Sequence, residues 1–286
     1  MPATAPEPLE DTLAIVGVGL IGGSIAAAAR RRGLARRILG VGRNRQRLEQ
    51  ARTAGVIDAV ASDPAGVGST ALVIFCTPVD QIARGAGDWL PRLPPGCLVT
   101  DAGSTKHRLC DALAPWAGRQ PAFIGSHPIA GGEKQGFEHA DPDLFVGRTC
   151  VITPQAQHRE QDIVRVTRFW EALGMMVVSL SPAEHDLALA ATSHVPHVVA
   201  AALAASLTDA DRGFTGTGFA TTTRIAAGDP ELWTAILREN AAEVAGGLSR
   251  IQQRLAAFEQ ALRSDDASAL KIMLQAAKTQ RDALDG

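Results

Sequence analysis

The chain has 286 residues, of which 46% are hydrophobic and 20% charged, and its formal net charge is −2. This composition is typical of a folded protein with room for two domains, and it excludes a largely disordered chain. The near-zero charge offers no basic surface, so no nucleic-acid partner is expected. The four cysteines lack CxxC spacing, which is typical of reduced thiols in a cytoplasmic protein.

No targeting or membrane-spanning segment is predicted. Residues 1–11 contain three prolines and acidic residues but no apolar core, so we expect a disordered tail and not a signal peptide. No apolar stretch reaches the ~20 residues that are needed to cross a bilayer. We therefore expect a soluble, cytoplasmic protein without a membrane partner.

The remaining sequence divides at residue 181 into two parts of different composition. Residues 12–181 alternate longer helical patterns with short apolar runs at 13–16, 38–41, 72–76, 98–101, 122–125, 149–153 and 175–179. This alternation predicts a doubly wound, Rossmann-type α/β domain with a mostly parallel sheet. Residues 182–286 carry alanine and leucine at helical spacing, which predicts an all-α second domain. Ser181, Pro182 and Glu184 have the pattern of an N-cap, a first-position proline and an acidic first turn.

The motif GVGLIG at residues 17–22 follows the first predicted strand and opens a helix, which is the context of a dinucleotide fingerprint. Gly17 permits a tight turn, Gly19 lets the backbone approach a pyrophosphate, and Gly22 lets helix and strand pack closely. The start of the helix offers unpaired N–H groups to the anion. The predicted cofactor contacts are Gly17, Gly19, Leu20, Ile21, Gly22 and, after the third strand, Thr77 and Pro78.

The segment after the second strand indicates which dinucleotide is bound. NAD-preferring enzymes usually place a carboxylate there, ~20 residues after the glycine motif, whereas this chain has Gly42-Arg43-Asn44. Gly42 leaves space, and Arg43 supplies a guanidinium suited to a 2′-phosphate. NADP is therefore the favoured cofactor and NAD the alternative; solvation of a helix start is the other role open to Arg43 and Arg45.

Two polar segments follow later strands, DAGSTK at 101–106 and GSHPIAGGEK at 125–134. Open α/β sheets bind ligands at the carboxyl ends of their strands. His127, near a hydroxyl such as that of Ser104, is placed for proton abstraction, and an ordinary histidine pKa of ~6.5 suits a general base. A structural histidine in a turn is the alternative interpretation.

His194 and His197 lie three residues apart on a predicted helix, with Pro196 between them, so the two rings share a face. HxxH spacing can hold a metal, but no HExxH motif or cysteine partner accompanies it. We expect no metal, and we favour substrate-pocket histidines over purely structural ones.

GVGLIGGS, DAGSTK, GSHPIAGGEKQG, SHVPH at 193–197 and TTRIAAGDPELW at 222–233 occur in that order. Together they resemble the prephenate/arogenate (cyclohexadienyl) dehydrogenase family over nearly the whole chain from residue 12. The resemblance implies NAD(P)-dependent oxidative decarboxylation of prephenate or arogenate in tyrosine biosynthesis. It implies a single-function form, without the ACT or chorismate mutase domain that some members add.

The resemblance also assigns roles to individual residues. His127 is expected to take the proton of the ring hydroxyl, and Ser104 to hydrogen-bond both His127 and that hydroxyl. His197 belongs with them as a catalytic residue. The expected substrate-binding residues are Arg224, which grips a carboxylate, His194, Gly132 and Glu133, with Glu133 and Lys134 gating or orienting.

The stretch 230–262 repeats apolar residues at spacings of three, four and seven, which predicts a helix with more apolar surface than one small domain needs. The resemblance implies a homodimer through the C-terminal helices; a monomeric core helix is the alternative.

Two other functions fit parts of the pattern. A 6-phosphogluconate or 3-hydroxyacid dehydrogenase would place a catalytic lysine early in the second domain, but residues 182–229 contain none. A non-catalytic NADP-binding sensor has no need to keep His127, His197 and Arg224 together.

Overall fold

Six parallel strands form the central sheet of the N-terminal part. The computed structural model describes residues 7–68, 71–132 and 134–284. The strands are Glu10–Val16 (β1), Ala35–Val41 (β2), Ala59–Ala61 (β3), Ala71–Phe75 (β4), Leu98–Asp101 (β5) and Ala122–Phe123 (β6). Their spatial order is β3-β2-β1-β4-β5-β6, and winding reverses between β1 and β4, where such sheets bind ligands. The predicted Rossmann-type fold is confirmed.

Helices cover both faces of this sheet, as predicted. They are Leu20–Arg31 (α1), Arg45–Thr53 (α2), Val79–Trp89 (α3), His107–Leu113 (α4) and Glu160–Ala172 (α5). Successive side chains of a strand point to opposite faces. Leu13 and Ile15 of β1 therefore join one buried cluster, and Ala14 and Val16 join the other. Burial on both faces is why this strand is an unbroken apolar run in the sequence.

The first strand begins earlier than predicted. Residues 10 and 11, expected in the tail, belong to β1. Glu10 is buried and forms an ion pair with Arg165, which explains how a charged residue is accommodated at the start of a core strand. Residues 1–6 lie outside the described residues.

A second sheet, which the sequence did not predict, holds three strands: Gly125–Pro128 (β7), Thr149–Thr153 (β8) and Met176–Ser179 (β9). β7 is antiparallel to β8, and β8 is parallel to β9. Residues 122–125 are predicted as one strand, but the chain leaves the first sheet after Phe123 and pairs anew from Gly125. This corrects the expected position of His127, which lies within β7 and not in a loop, because strand pairing with Val151 holds its backbone.

Residues 182–284 are helical, as predicted. The helices are Pro182–Leu189 (α6), Val195–Ala205 (α7), Thr217–Thr223 (α8), Pro230–Glu239 (α9), Ala241–Arg263 (α10) and Ala267–Asp282 (α11). The predicted start of α6 is confirmed: Ser181 and Glu184 form a reciprocal capping box before Pro182. The single helix predicted over 230–262 is wrong, because the chain leaves helical geometry at Asn240 and α10 starts afresh.

A π-helical turn, Ala190–His194, joins α6 and α7 into one apolar helix of 24 residues, Pro182–Ala205. Pro196 has no N–H and crowds the preceding turn, and the wider π turn absorbs that defect without a break. By length and composition this helix could cross a membrane, contrary to the expectation that no such stretch exists. Its His185 and Asp186 are buried and hydrogen-bonded to the N-terminal part.

Candidate active site

A cleft of about 640 Å³ opens at the carboxyl ends of β1, β4 and β5. Loops after these strands, the end of β7, residues 130–132 and 134–136 and the start of α9 form its walls. Of the predicted site residues, those on the wall are Gly19, Leu20, Ile21, Thr77, Pro78, Ser104, His127 and Gly132. One cavity therefore contains the glycine motif and the predicted base, and we take it as the candidate active site.

The glycine loop, residues 17–22, combines a rigid turn with open space. A Cβ on Gly17, whose φ is +98°, would lie 2.8 Å from the carbonyl oxygen of Cys76, and a Cβ on Gly22 would lie 2.2 Å from that of Gly17. The fold itself therefore requires these two glycines. A Cβ on Gly19 would meet nothing within 4 Å, and α1 begins after it without a side-chain cap. Its first N–H groups are thus available to an anion, and the loop fits a pyrophosphate.

Thr77 provides a second indication of a ligand in this part of the cleft. Its hydroxyl oxygen is buried and has no hydrogen-bond partner within the described chain. Leaving such a group unpaired costs about 1–3 kcal/mol. A polar ligand lying beside the glycine loop would supply the missing partner, so these residues fit a nicotinamide dinucleotide.

The end of β2 is exposed and has room for a larger ligand group. A Cβ on Gly42 would meet only the Leu48 side chain, at 3.7 Å, and Arg43 is exposed. Asn44 has a structural function that was not predicted: its side chain caps α2 by accepting a hydrogen bond from the Arg47 N–H, at 3.0 Å. That bond uses the Asn44 side-chain oxygen within α2.

A buried ion pair holds the loop that carries Ser104 in place. Lys106 and Asp101 are both fully buried and bond to each other. Asp101 also accepts hydrogen bonds from the N–H groups of Gly103, at 2.8 Å, and Ser126, at 2.9 Å. Because a buried carboxylate with several donors is fixed in place, it ties this loop to β7. No described hydrogen bond joins Ser104 to His127, although both line the same cleft.

His127 begins a buried chain of hydrogen bonds, the His–His–Asp chain, formed with His185 and Asp186. His127 Nδ1 lies 2.8 Å from His185 Nε2, and His185 Nδ1 lies 2.7 Å from Asp186 Oδ1. Burial, with the nearby His185 and Lys106, holds the pKa of His127 well below its usual range. His127 is therefore neutral near pH 7 and able to accept a proton.

His194 and His197 occupy different surroundings. His194 is 1% exposed and its Nδ1 accepts a hydrogen bond from Asn240 at 3.1 Å; burial lowers its pKa to about 4. The His197 ring stacks on Trp233 with a 3.5 Å centroid distance, and its buried Nδ1 has no partner within the described chain. Neither ring is on the cleft wall, whereas both were expected to line the cavity. His197 packs on Trp233 instead, and His194 is held by its hydrogen bond from Asn240.

The remaining predicted residues lie at the rim or beyond it. Gly132 and Lys134 line the cleft, whereas Glu133 is outside the described residues. Arg224 is exposed, at the start of the 3₁₀ turn Arg224–Ala227, and is not on the cleft wall of the single chain. Gln135 donates a hydrogen bond to Asp229, which caps α9.

Some residues in and around the site were not predicted to belong to it, among them His185, Asp186, Trp233 and Asn240. His185 and Asp186 had no role assigned from the sequence alone, and Trp233 entered only through the family motif at 222–233 and the apolar stretch 230–262. Asn240 carried no signal. A pair of adjacent polar residues inside an apolar helix was the one clue to burial with partners. Among the described residues, no group of three or more His, Cys, Asp or Glu side chains has the geometry to hold a metal ion.

Comparison with known proteins relates this arrangement to one family. The model for the nucleotide-binding domain of prephenate dehydrogenase matches residues 25–179, and the model for its dimerization domain matches residues 181–276. Prephenate dehydrogenase of Bacillus subtilis (strain 168) is 31% identical over 284 residues, which cover 96% of this chain and 76% of that protein.

Two solved structures show the same relationship. Prephenate dehydrogenase of Aquifex aeolicus, in complex with hydroxyphenyl propionate and NAD+, is 31% identical with a TM-score of 0.86 over 99% of both chains. Synechocystis arogenate dehydrogenase, also 31% identical, has a TM-score of 0.83 over 96% of this chain and 99% of its own. A 3-hydroxyisobutyrate dehydrogenase of Mycobacterium tuberculosis, at 16% identity and a TM-score of 0.57, shares the fold alone. The chain therefore belongs to the family of prephenate, arogenate and cyclohexadienyl dehydrogenases, NAD(P)-dependent enzymes of tyrosine biosynthesis.

Proposed function

We propose that this enzyme oxidises and decarboxylates prephenate, arogenate or both, with His127 as the general base. The observation that carries the proposal is the placement of His127. Its ring lines the cleft that also contains the glycine loop, and its Nδ1 is occupied by His185. Nε2 is therefore the nitrogen left for a substrate hydroxyl, and burial keeps it unprotonated near neutral pH.

The reaction requires from the protein chiefly the orientation of the substrate and one proton acceptor. His127 Nε2 takes the proton of the C4 hydroxyl, and C4 loses its hydrogen as hydride and becomes a carbonyl carbon; a nicotinamide, when bound, would be the hydride acceptor. The C1 carboxylate then leaves as CO2, and its bonding electrons enter the ring, which becomes aromatic. The phenolate oxygen so formed can take the proton back from His127. The glycine loop would hold the pyrophosphate of the dinucleotide.

Ser104 and His197 are proposed to complete the catalytic group. Ser104 lines the cleft with His127 on the loop that the buried Asp101–Lys106 pair holds, so its hydroxyl can donate to the reacting oxygen. His197 presents a buried Nδ1 that lacks a partner in the described chain. The ring does not line the cleft of the single chain, so its role is proposed from the resemblance to the family and from this unpaired nitrogen.

Arg224 is proposed to bind a substrate carboxylate, since a guanidinium can do so with two parallel hydrogen bonds. Its turn packs against α7, and Gly228, at the end of that turn, approaches His197 and Trp233 closely enough that a Cβ would lie 2.4 Å from Trp233 Nε1. Gly132 on the cleft wall, His194 and Glu133 are proposed as further substrate-binding residues.

We propose NADP as the preferred dinucleotide. Exposed Arg43 follows β2, where an NAD-preferring enzyme would carry a carboxylate, and Gly42 leaves space beside it. A 2′-phosphate would receive charge-assisted hydrogen bonds from this guanidinium.

We propose a homodimer joined through the C-terminal helices. Ile236 and Val244 of the predicted stripe are core residues of the single chain, as the monomeric alternative required. Farther along, Leu255 and Leu262 of α10 and Ile272 and Leu274 of α11 are 60–67% exposed. Exposed apolar side chains on neighbouring helices are typical of an interface, and a second copy would cover them.

We also propose a cytoplasmic location. All four cysteines are free thiols, three of them buried, which is typical of a reducing compartment.

The test is a steady-state assay that offers prephenate and arogenate, each with NAD and with NADP, and follows the reduced cofactor. Turnover with at least one acid is expected, and His127→Asn should lower kcat about 10²–10⁴-fold, the usual contribution of a general base. Dinucleotide affinity of that variant should stay unchanged, since the glycine loop is intact. Folded enzyme that binds a dinucleotide but turns over no pair would overturn the proposal.

A further inference from the structure

The His–His–Asp chain connects the two parts of the molecule. His127 is on β7, whereas His185 and Asp186 are on α6. His127 and His185 are 58 residues apart in the sequence. His185 is fully buried and Asp186 is 1% exposed. Both bonds of the chain, at 2.8 and 2.7 Å, have the length of strong hydrogen bonds.

Backbone groups fix the far end of this chain. Asp186 Oδ1 accepts a hydrogen bond from the Lys106 N–H at 2.7 Å, and Oδ2 accepts one from the His107 N–H at 2.9 Å. Asn240 donates to the Asp186 carbonyl oxygen at 2.7 Å. Burial alone would raise the pKa of Asp186, but its hydrogen bonds from His185, His107 and Lys106 outweigh burial and hold the pKa below its ordinary value. The carboxylate is therefore ionised and accepts hydrogen bonds only.

Because Asp186 can only accept hydrogen bonds, it determines which ring nitrogen carries the proton in each histidine of the chain. Since Asp186 cannot donate, His185 must carry its proton on Nδ1, which leaves Nε2 as an acceptor. His127 must then carry its proton on Nδ1 in order to donate to His185. In a neutral imidazole the other nitrogen has the lone pair, so His127 presents an unprotonated Nε2 to the cleft.

We propose that His185 and Asp186 are positioning residues that hold His127 in the one tautomer able to accept the substrate proton and that stabilise the charge it then carries. The inference rests on the proposed role of His127 as the base. Neither residue touches the cleft wall, so each acts through His127. The arrangement parallels the way in which a buried carboxylate orients a catalytic histidine in serine hydrolases.

Other charged and titratable groups near His127 limit its basicity. Burial is the main cause that lowers the pKa of His127, and His185, Lys106 before α4 and His194 in the π turn lower it further. Lys106 is itself paired with Asp101, and Asp186 lies beyond His185. Once His127 is protonated, the described path from its Nδ1–H to a negative charge therefore runs through His185 to Asp186. Loss of His185 breaks this path, so the acid limb of kcat/KM should shift from its wild-type position.

The first experiment compares two substitutions at one position. In His185→Phe the Nδ1–H of His127 loses its acceptor, and kcat should fall about 100-fold, within the range for general-base catalysis. In His185→Gln the amide oxygen can accept that hydrogen bond and the amide N–H can reach Asp186, so most of the activity should return. KM for both substrates should change little. His158→Gln is the matched control, because His158 also bonds through both ring nitrogens, to Gln155 and Phe123, outside the cleft.

The second experiment reads the tautomer without turnover. ¹⁵N NMR of the full-length enzyme labelled at histidine should show His127, assigned by its loss in His127→Asn, with a protonated Nδ1 and an unprotonated Nε2. His185→Phe should shift this signal toward the opposite tautomer, and His158→Gln should leave it unchanged.

The outcomes separate the two proposals. Full activity in His127→Asn would overturn the general-base assignment itself. An inactive His127→Asn together with a His185→Phe variant of normal rate, normal acid limb and unchanged tautomer would overturn only the positioning role. Equal losses in His185→Phe and His185→Gln, with no change in the tautomer, would also overturn it.

Discussion

The glycine loop and the His–His–Asp chain meet at the same cleft but are assembled in different ways. The glycine loop is six consecutive residues whose turn is dictated by two backbone contacts, those of Gly17 and Gly22. The His–His–Asp chain joins β7 to α6, and its members acquire their roles only when the two parts of the molecule pack together. The cofactor end of the site is therefore a local backbone structure, whereas the proton-accepting end depends on domain packing.

The largest expected effect tests the local character of the glycine loop. Gly22→Ala should cost about 3 kcal/mol of unfolding free energy, because its Cβ would overlap the Gly17 carbonyl oxygen, 2.2 Å away. Gly19→Ala is the matched control, since its Cβ meets nothing within 4 Å. It should leave the unfolding free energy unchanged and weaken only dinucleotide binding. Urea unfolding and dinucleotide titration measure the two effects, and equal stability losses would contradict this account.

A fall in pH is expected to lower the free energy of unfolding by about 2 kcal/mol through one buried histidine of the C-terminal part. His194 has a folded pKa of about 4, against an ordinary value of 6.5. The unfolded chain therefore binds a proton first, and the stability contributed by neutral His194 is complete above 6.5 and is lost as pH falls toward 4. Between pH 7.5 and 5.0 the loss should be about 2 kcal/mol.

Urea unfolding at the two pH values measures this loss. His194→Gln keeps an acceptor for Asn240 but does not titrate, so its stability should fall less than that of the wild type. His107→Gln, at an exposed histidine, should behave as the wild type. Identical pH dependence in all three proteins would contradict the assignment.

The smallest expected effect concerns the cofactor-binding end of the cleft and its choice between NADP and NAD. Arg43→Ala should lower kcat/KM for NADP about tenfold, the value of one charge-assisted hydrogen bond, and should leave NAD nearly unaffected. Arg45→Ala, in the first position of α2, is the matched control and should leave the NADP-to-NAD ratio unchanged. A ratio that changes equally in both variants would show that Arg43 only solvates the helix start.

Much of the fold was predictable because it depends on local patterns. Unbroken apolar runs identified β1, β2, β4, β5 and β8, and the Ser181–Glu184 capping box marked the start of α6. The three-residue β3 is too short to give a pattern. The break at Asn240 was missed because the apolar spacing continues through it, while the cause of the break is a buried side chain whose partners, Asp186 and His194, lie on another helix.

The sequence by itself determined the dinucleotide loop, the family and the identity of the candidate base, because each rests on consecutive residues whose spacing is unaffected by the rest of the chain. Only the tertiary structure decided which nitrogen of His127 faces the cleft and which residues hold it there. A hydrogen bond between residues 127 and 185 leaves no periodic trace in the sequence. Its energy comes from burial, which exists only after sheet and helices have packed.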